Sequence, residues 1–136
     1  MILTMTEMMN AFGGRYSVLQ HENKLWWVME RRWYFNMPNI SCVPRDEYTL
    51  ERHDGNRYHN TWALIGDGVG HYAHEGKPRS ACVLHTATLP SQLEGCLTVC
   101  LAVNAKGQVS GQADAWGQVS KLFASASGPI KILMNQ

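Results

Sequence analysis

The chain has no dominant charge sign, no long apolar run and no leader-like start, and each absence argues against a class of function. Twelve Lys and Arg against eleven Asp and Glu give a formal charge of +1 at pH 7. Binding a phosphate backbone calls for a strongly positive field, so no nucleic-acid partner is expected. No apolar segment approaches the roughly 18 residues of a membrane span. The start, MILTMTEMMN, has neither a basic n-region nor a continuous apolar h-region, so the expectation is a soluble product with no signal peptide. Cysteine is scarce: the four, at 42, 82, 96 and 100, have no metal-type spacing, and a reducing cytosol keeps them as thiols. On one strand, Cys96 and Cys100 would sit about 13 Å apart, too far to bridge. There is no internal repeat and no low-complexity linker.

What is present is a globular core. At 136 residues with 45% hydrophobic and 17% charged side chains, five Trp and five Tyr, residues 1–136 read as one domain. Turn formers recur at short intervals (FGG at 12–14, NMPN at 36–39, HDGN at 53–56, GDGVG at 66–70, EGKP at 75–78, NAKG at 104–107), which favours strands. The pattern predicts strands near 2–8, 15–20, 24–30, 47–53, 61–65, 81–85, 95–103 and 129–134. One helix is expected over 112–126, where Ala113, Trp116, Val119, Leu122, Phe123 and Ala126 form an apolar stripe ahead of Gly128 and Pro129. Trp116 reads as core, and no cofactor is expected. The fold class is then mainly β (α+β): an antiparallel barrel or sandwich with one C-terminal helix packed on the sheet.

In GCLTVCLAV, period two places Leu97, Val99, Leu101 and Val103 on a core face and Cys96, Thr98, Cys100 and Ala102 on the other. If 81–85 and 95–103 pair as antiparallel neighbours, His85 and Cys96 come close, since opposed residues have Cβ atoms about 5 Å apart. An imidazole there takes the thiol proton, the Gly95 and Cys96 amides stabilise an oxyanion, and Glu94 orients the ring. Against this stands the ordinary burial of free cysteine. A zinc site from His71, His74, His85 and Cys96 is a further option, although HYAH lacks the Glu of a metalloprotease helix. His53 and His59 flank a turn and suit surface or packing roles. All seven arginines fall between Arg15 and Arg79; Arg31, Arg32, Arg45, Arg52 and Arg57 either build a cationic patch near Trp33 and Tyr34 or lie on solvated strand faces.

The segments PNISCVP (38–44), RSACVLH (79–85) and EGC (94–96), inside a motif region spanning 30–99, resemble a family of uncharacterised domains of unknown function found in phages and bacteria. More distantly, the order of parts resembles the catalytic domain of L,D-transpeptidases, β-rich cell-wall enzymes in which a histidine precedes a Gly-Cys nucleophile. CVPRDEYTL echoes their Thr-Pro-x-Gly-x-Tyr strand entry, with Asp46 in the glycine's place. The resemblance implies Cys96 as nucleophile, His85 as site histidine and Gly95 as oxyanion-hole donor. Glu94 and Thr98 stand where the transpeptidases carry His and Arg, so His85 is left as the local base and Arg79 as the anchor for a substrate carboxylate.

The leading expectation is a phage-associated cysteine enzyme that performs acyl transfer or hydrolysis on peptidoglycan stem peptides, resident in the host cytoplasm or the virion. The alternative is a non-catalytic virion structural or wall-binding module, whose partners are other virion proteins or an oligomer in a particle. A buried Cys96 with His85 beyond hydrogen-bond reach favours the alternative.

Overall fold

Residues 1–135 are described by the computed structural model of the chain. Ile2–Ala11 (β1) turns at Phe12 and Gly13 into Gly14–His21 (β2), and a second tight turn leads to Lys24–Arg31 (β3). Phe12 and Gly13 both take positive φ, 56° and 74°, as the favoured two-residue hairpin turn requires. Glu47–His53 (β4) and Thr61–Ile65 (β5) follow, then the short strands Val69–Gly70 (β6), Arg79–Ser80 (β7), Thr98–Cys100 (β8), Ala102–Val103 (β9) and Val109–Ser110 (β10). The helix Gln112–Ala124 (α1) and the strand Ile130–Asn135 (β11) complete the set.

Seven strands form one sheet in the order β5-β4-β11-β1-β2-β3-β8. Its neighbours are antiparallel except β1 and β11, which run parallel at the centre. The fold class is therefore mainly β with one helix near the C-terminus, as the sequence patterning indicates. The sheet curls, and its two edges are tied together by Cys82–His85: Leu64 N–H donates to Cys82 O (2.8 Å) and Leu84 N–H to Trp62 O (3.1 Å) on the β5 side, while His85 N–H donates to Leu97 O (3.0 Å) beside β8.

Ala115, Val119 and Phe123 of α1 pack with Leu3, Leu19, Val28, Leu50, Leu64 and Ile132 in the main core. Ala113, expected on that stripe, is exposed, and Ala115 takes its place. A second cluster on the other sheet face joins Tyr16, Met29, Ala63, Val83, Ala87, Leu93 and Cys96. Among the described residues no helix is long and apolar enough to cross a membrane.

The short strands β6, β7 and β10 fall where none was expected, and of the expected strands the structure alters 81–85 and 95–103, the two that carry the proposed pair. Residues 81–85 make only isolated bridges, Ala63 to Val83 antiparallel and Leu84 to Leu97 parallel. The run 95–103 starts its ladder at Thr98 and breaks at Leu101, whose N–H leaves β3 to bond Ser110 O (2.9 Å) and whose side chain is exposed rather than core. The two segments are thus parallel, not antiparallel, and the connection between them crosses over instead of turning back as a hairpin.

Candidate functional site

The parallel register decides where the proposed pair sits. With Leu84 paired to Leu97, an antiparallel arrangement would oppose His85 and Cys96; a parallel one pairs Val83 with Cys96 and His85 with Thr98. The contacts follow the parallel register. Val83 N–H points to Cys96 Sγ at 3.5 Å, and Thr98 Oγ1 donates to His85 O at 2.6 Å. The offset of two residues is about 6.6 Å along the strand direction.

Cys96 is 2% exposed, its thiol directed to Ala81 O at 3.8 Å. Burial pushes that thiol above its ordinary pKa, with the Val83 amide and the nearby Tyr58 hydroxyl opposing. His85 is half-buried and donates from Nδ1 to Thr86 O at 3.1 Å, which leaves Nε2 as the unprotonated nitrogen; that atom is buried without a partner among the described residues. Desolvation lowers its pKa. No hydrogen bond joins Cys96 to His85 among the described residues. Tyr58 lies between them: its ring stacks on the imidazole (4.8 Å between centroids, 21° apart) and packs against the cluster that holds Cys96. Glu94 turns outward to pair with Arg57 at 3.2 Å rather than with the imidazole.

Gly95 and Arg79 have a plain structural relation. Arg79 is 4% exposed, and its guanidinium donates to Ser41 O (2.8 Å), Cys42 O (3.4 Å) and Asn36 Oδ1 (3.0 Å). Those donors clamp the 36–42 loop. Gly95 sits at φ +93°, and a Cβ added there would overlap Arg79 Nη2 and lie 3.3 Å from Cys82 Sγ. Only glycine both adopts that φ cheaply and admits the guanidinium. Ser41 completes the knot by accepting from Tyr34 N–H and donating to Cys42 O, both at 2.9 Å. The three segments PNISCVP, RSACVLH and EGC therefore meet around one buried arginine.

Above the clamp lies a groove of about 530 Å³ lined by Phe12, Arg31, Arg32, Tyr34, Ile40 and Leu89. The clamped loop supplies Tyr34 and Ile40 on one side. The other side comes from the 89–91 turn, where Pro90 packs so close to Gly14 that an added Cβ would stand 2.9 Å from its ring. Phe12 is 59% exposed and Leu89 56%. Arg31 holds both walls, donating to Asn39 O (3.1 Å) and Ser91 O (3.4 Å), while Arg32 lies over the Tyr34 ring at 5.3 Å. Neither pairs with a carboxylate among the described residues. The other candidate patch arginines go elsewhere: Arg45 to buried Glu30 (2.6 Å), Arg52 over Trp62, Arg57 to Glu94.

Among the described residues no group of three or more His, Cys, Asp or Glu side chains is placed to hold a metal ion. The suggested zinc set does not assemble, because His71 and His74 stack on Tyr72 (4.1 and 5.7 Å). What the sequence does not reveal is a relay in which Glu51 Oε2 meets His71 Nδ1 at 3.2 Å and His71 Nε2 meets His53 Nδ1 at 2.9 Å, both rings nearly buried. Burial and the neighbouring His71 lower the His53 pKa. Comparison with known proteins finds no family model, no curated protein and no solved structure that matches the chain.

Proposed function

We propose that the protein is a non-catalytic wall-binding module whose groove between Phe12 and Leu89 takes a carboxylate-bearing peptide of the peptidoglycan stem type. The observation that carries this reading is the pairing, in one groove, of two arginines free of carboxylate partners among the described residues with four exposed apolar or aromatic side chains, Phe12, Tyr34, Ile40 and Leu89. Guanidinium groups suit bidentate capture of a carboxylate, and the apolar walls suit short aliphatic side chains. The motif resemblance supports a phage setting. The burial of Cys96 and the Nδ1–Thr86 bond of His85 favour packing over nucleophilic chemistry for that pair.

The test is a titration of the purified chain with a synthetic stem peptide, beside the same peptide amidated at its carboxylates. Saturable binding that Arg32→Gln and Phe12→Ala each weaken about tenfold, and that amidation abolishes, supports the reading. Equal binding of both peptides, or stoichiometric recovery in particles without peptide binding, rejects it.

A second reading retains Cys96 as nucleophile and His85 as proton shuttle on the same peptide class. One observation favours it: the single Tyr58 side chain stacks on the imidazole and packs against the cluster that holds Cys96, so its displacement opens both at once. Release of muropeptides from purified sacculi that Cys96→Ala leaves unchanged would reject it.

A further inference from the structure

We infer that the 32–40 loop is a membrane-surface anchor, which seats its aromatic tip among the headgroups of an anionic bilayer. Trp33, Tyr34, Phe35, Met37 and Ile40 are all exposed, Phe35 to 79%. Exposed Phe12 and Leu89 adjoin the loop across the arginine groove, so the apolar side chains form one patch. A contiguous exposed patch of this kind marks a contact surface. The tip is also held at a conformational cost. Phe35 and Asn36 are the central residues of a turn closed by Met37 N–H donating to Tyr34 O (3.0 Å), and both take positive φ, 53° and 54°. Asparagine accepts that region, whereas a phenylalanine there is an outlier. Buried Arg79 grips the turn through Asn36 Oδ1 and Arg31 grips Asn39 O, so the fold fixes a strained aromatic ring in water instead of folding it away.

Charge selects the occupant. Arg31 and Arg32 stand at the base of the loop without carboxylate partners among the described residues, and exposed Lys106 lies in the turn whose Gly107 packs against Phe12. No Asp or Glu occurs in 8–14, 31–45, 86–93 or 101–113. The carboxylates that flank these stretches, Glu7, Glu30 and Glu94, are each paired with an arginine of their own. A second copy of the chain is a poor match, because a twofold contact sets the patch against itself and opposes cations with no acid to offset them. A nucleic-acid strand stacks on ring faces, and Met37, Ile40 and Leu89 offer none. A bilayer suits all the parts: Trp and Tyr favour the headgroup level, Phe and the aliphatic chains the acyl boundary beneath it, and the cations the lipid phosphates. Phe35 and Met37 line no wall of the arginine groove, so seating of the tip does not depend on the stem-peptide reading.

Purified full-length chain is sedimented with sucrose-loaded vesicles of phosphatidylcholine alone, and of equal parts phosphatidylcholine and phosphatidylglycerol, with no peptide present. The expected result is partition onto the anionic vesicles at least about tenfold stronger than onto the neutral ones. Brominated acyl chains should quench tryptophan emission through Trp33, so that Trp33→Phe loses the quench. Phe35→Asn, which places a residue tolerant of positive φ at the tip, should keep or raise thermal stability while weakening anionic-vesicle binding about tenfold. Arg32→Gln should weaken it about fivefold. Equal binding to both vesicles, binding to neither, quenching unchanged in Trp33→Phe, Phe35→Asn binding as well as wild type, or a concentration-dependent dimer that Phe35→Asn abolishes would each overturn the inference. The stem-peptide titration is run without lipid, so either reading can fail alone.

Discussion

Replacing Gly95 with alanine puts a methyl group on ground that Arg79 Nη2 occupies. The backbone cost comes first: an L-residue held at φ +93° is strained by about 1–2 kcal/mol. The steric cost is larger, because moving the guanidinium releases Ser41 O and Cys42 O, both buried, from charge-assisted hydrogen bonds worth about 1.5–3 kcal/mol each. Gly95→Ala should therefore cost about 4–8 kcal/mol, much of the roughly 5–15 kcal/mol that holds a domain of this size together. Arg79→Met removes the same two bonds by itself, at about 3–6 kcal/mol. In the Arg79→Met background a flexible thioether yields to the new methyl, and only the backbone strain of about 1–2 kcal/mol remains. A double-mutant cycle by urea unfolding should thus show strong non-additivity. Where Gly95→Ala alone fails to fold, a double variant that folds nearly as well as Arg79→Met establishes the same coupling. An alanine penalty equal in both backgrounds, within about 0.5 kcal/mol, would refute the clamp as the reason for this glycine.

Stability should fall as pH drops below about 6.5, because His53 and His85 have pKa values depressed from that ordinary value and the unfolded chain takes up protons first. Their contribution is complete above 6.5 and is lost as pH falls toward the folded values. Buried Glu30, raised by desolvation, titrates in the opposite sense, so the informative quantity is the difference from His53→Asn: the wild type should lose stability more steeply between pH 7.5 and 5.5, and parallel slopes would contradict the assignment. Site-resolved alkylation of native protein should label Cys96 at least about 100-fold more slowly than in urea, since labelling requires opening of the cluster around it; labelling at the unfolded rate would show an accessible thiol. Phe123→Ala, at a fully buried position under the sheet, should cost about 3–5 kcal/mol in denaturant unfolding, and a loss below about 1 kcal/mol would mean the helix is not part of the core.

The first five strands, the helix and the last strand are legible in the sequence because each is a local matter, with alternation over Ile2–Ala11 or Lys24–Arg31 and a turn former at each end. The pairing of 81–85 with 95–103 is not local. Two apolar runs parted by a proline loop look the same whether the chain doubles back or crosses over; here it crosses over, and that single choice of direction separates His85 from Cys96. The burial of Cys96 also depends on remote residues, since Tyr58 and Leu93 cover a strand face that is less apolar in its own sequence. Gly95 stands out in the sequence through its neighbour Cys96, whereas its reason lies with Arg79. The His53–His71 contact joins rings eighteen positions apart, and the HYAH spacing points to the pair that stacks on Tyr72 instead.

The three sequence segments build a support, and the proposed ligand contacts lie above it, on the arginine groove. Backbone amide NMR of the labelled chain, titrated with a wall stem peptide, reads this residue by residue. Binding in the groove predicts saturable shifts at Phe12, Arg32, Tyr34 and Leu89 with the peptide recovered intact. Shifts centred on Tyr58, His85 and Cys96, or turnover of the peptide that disappears in Cys96→Ala, would contradict it.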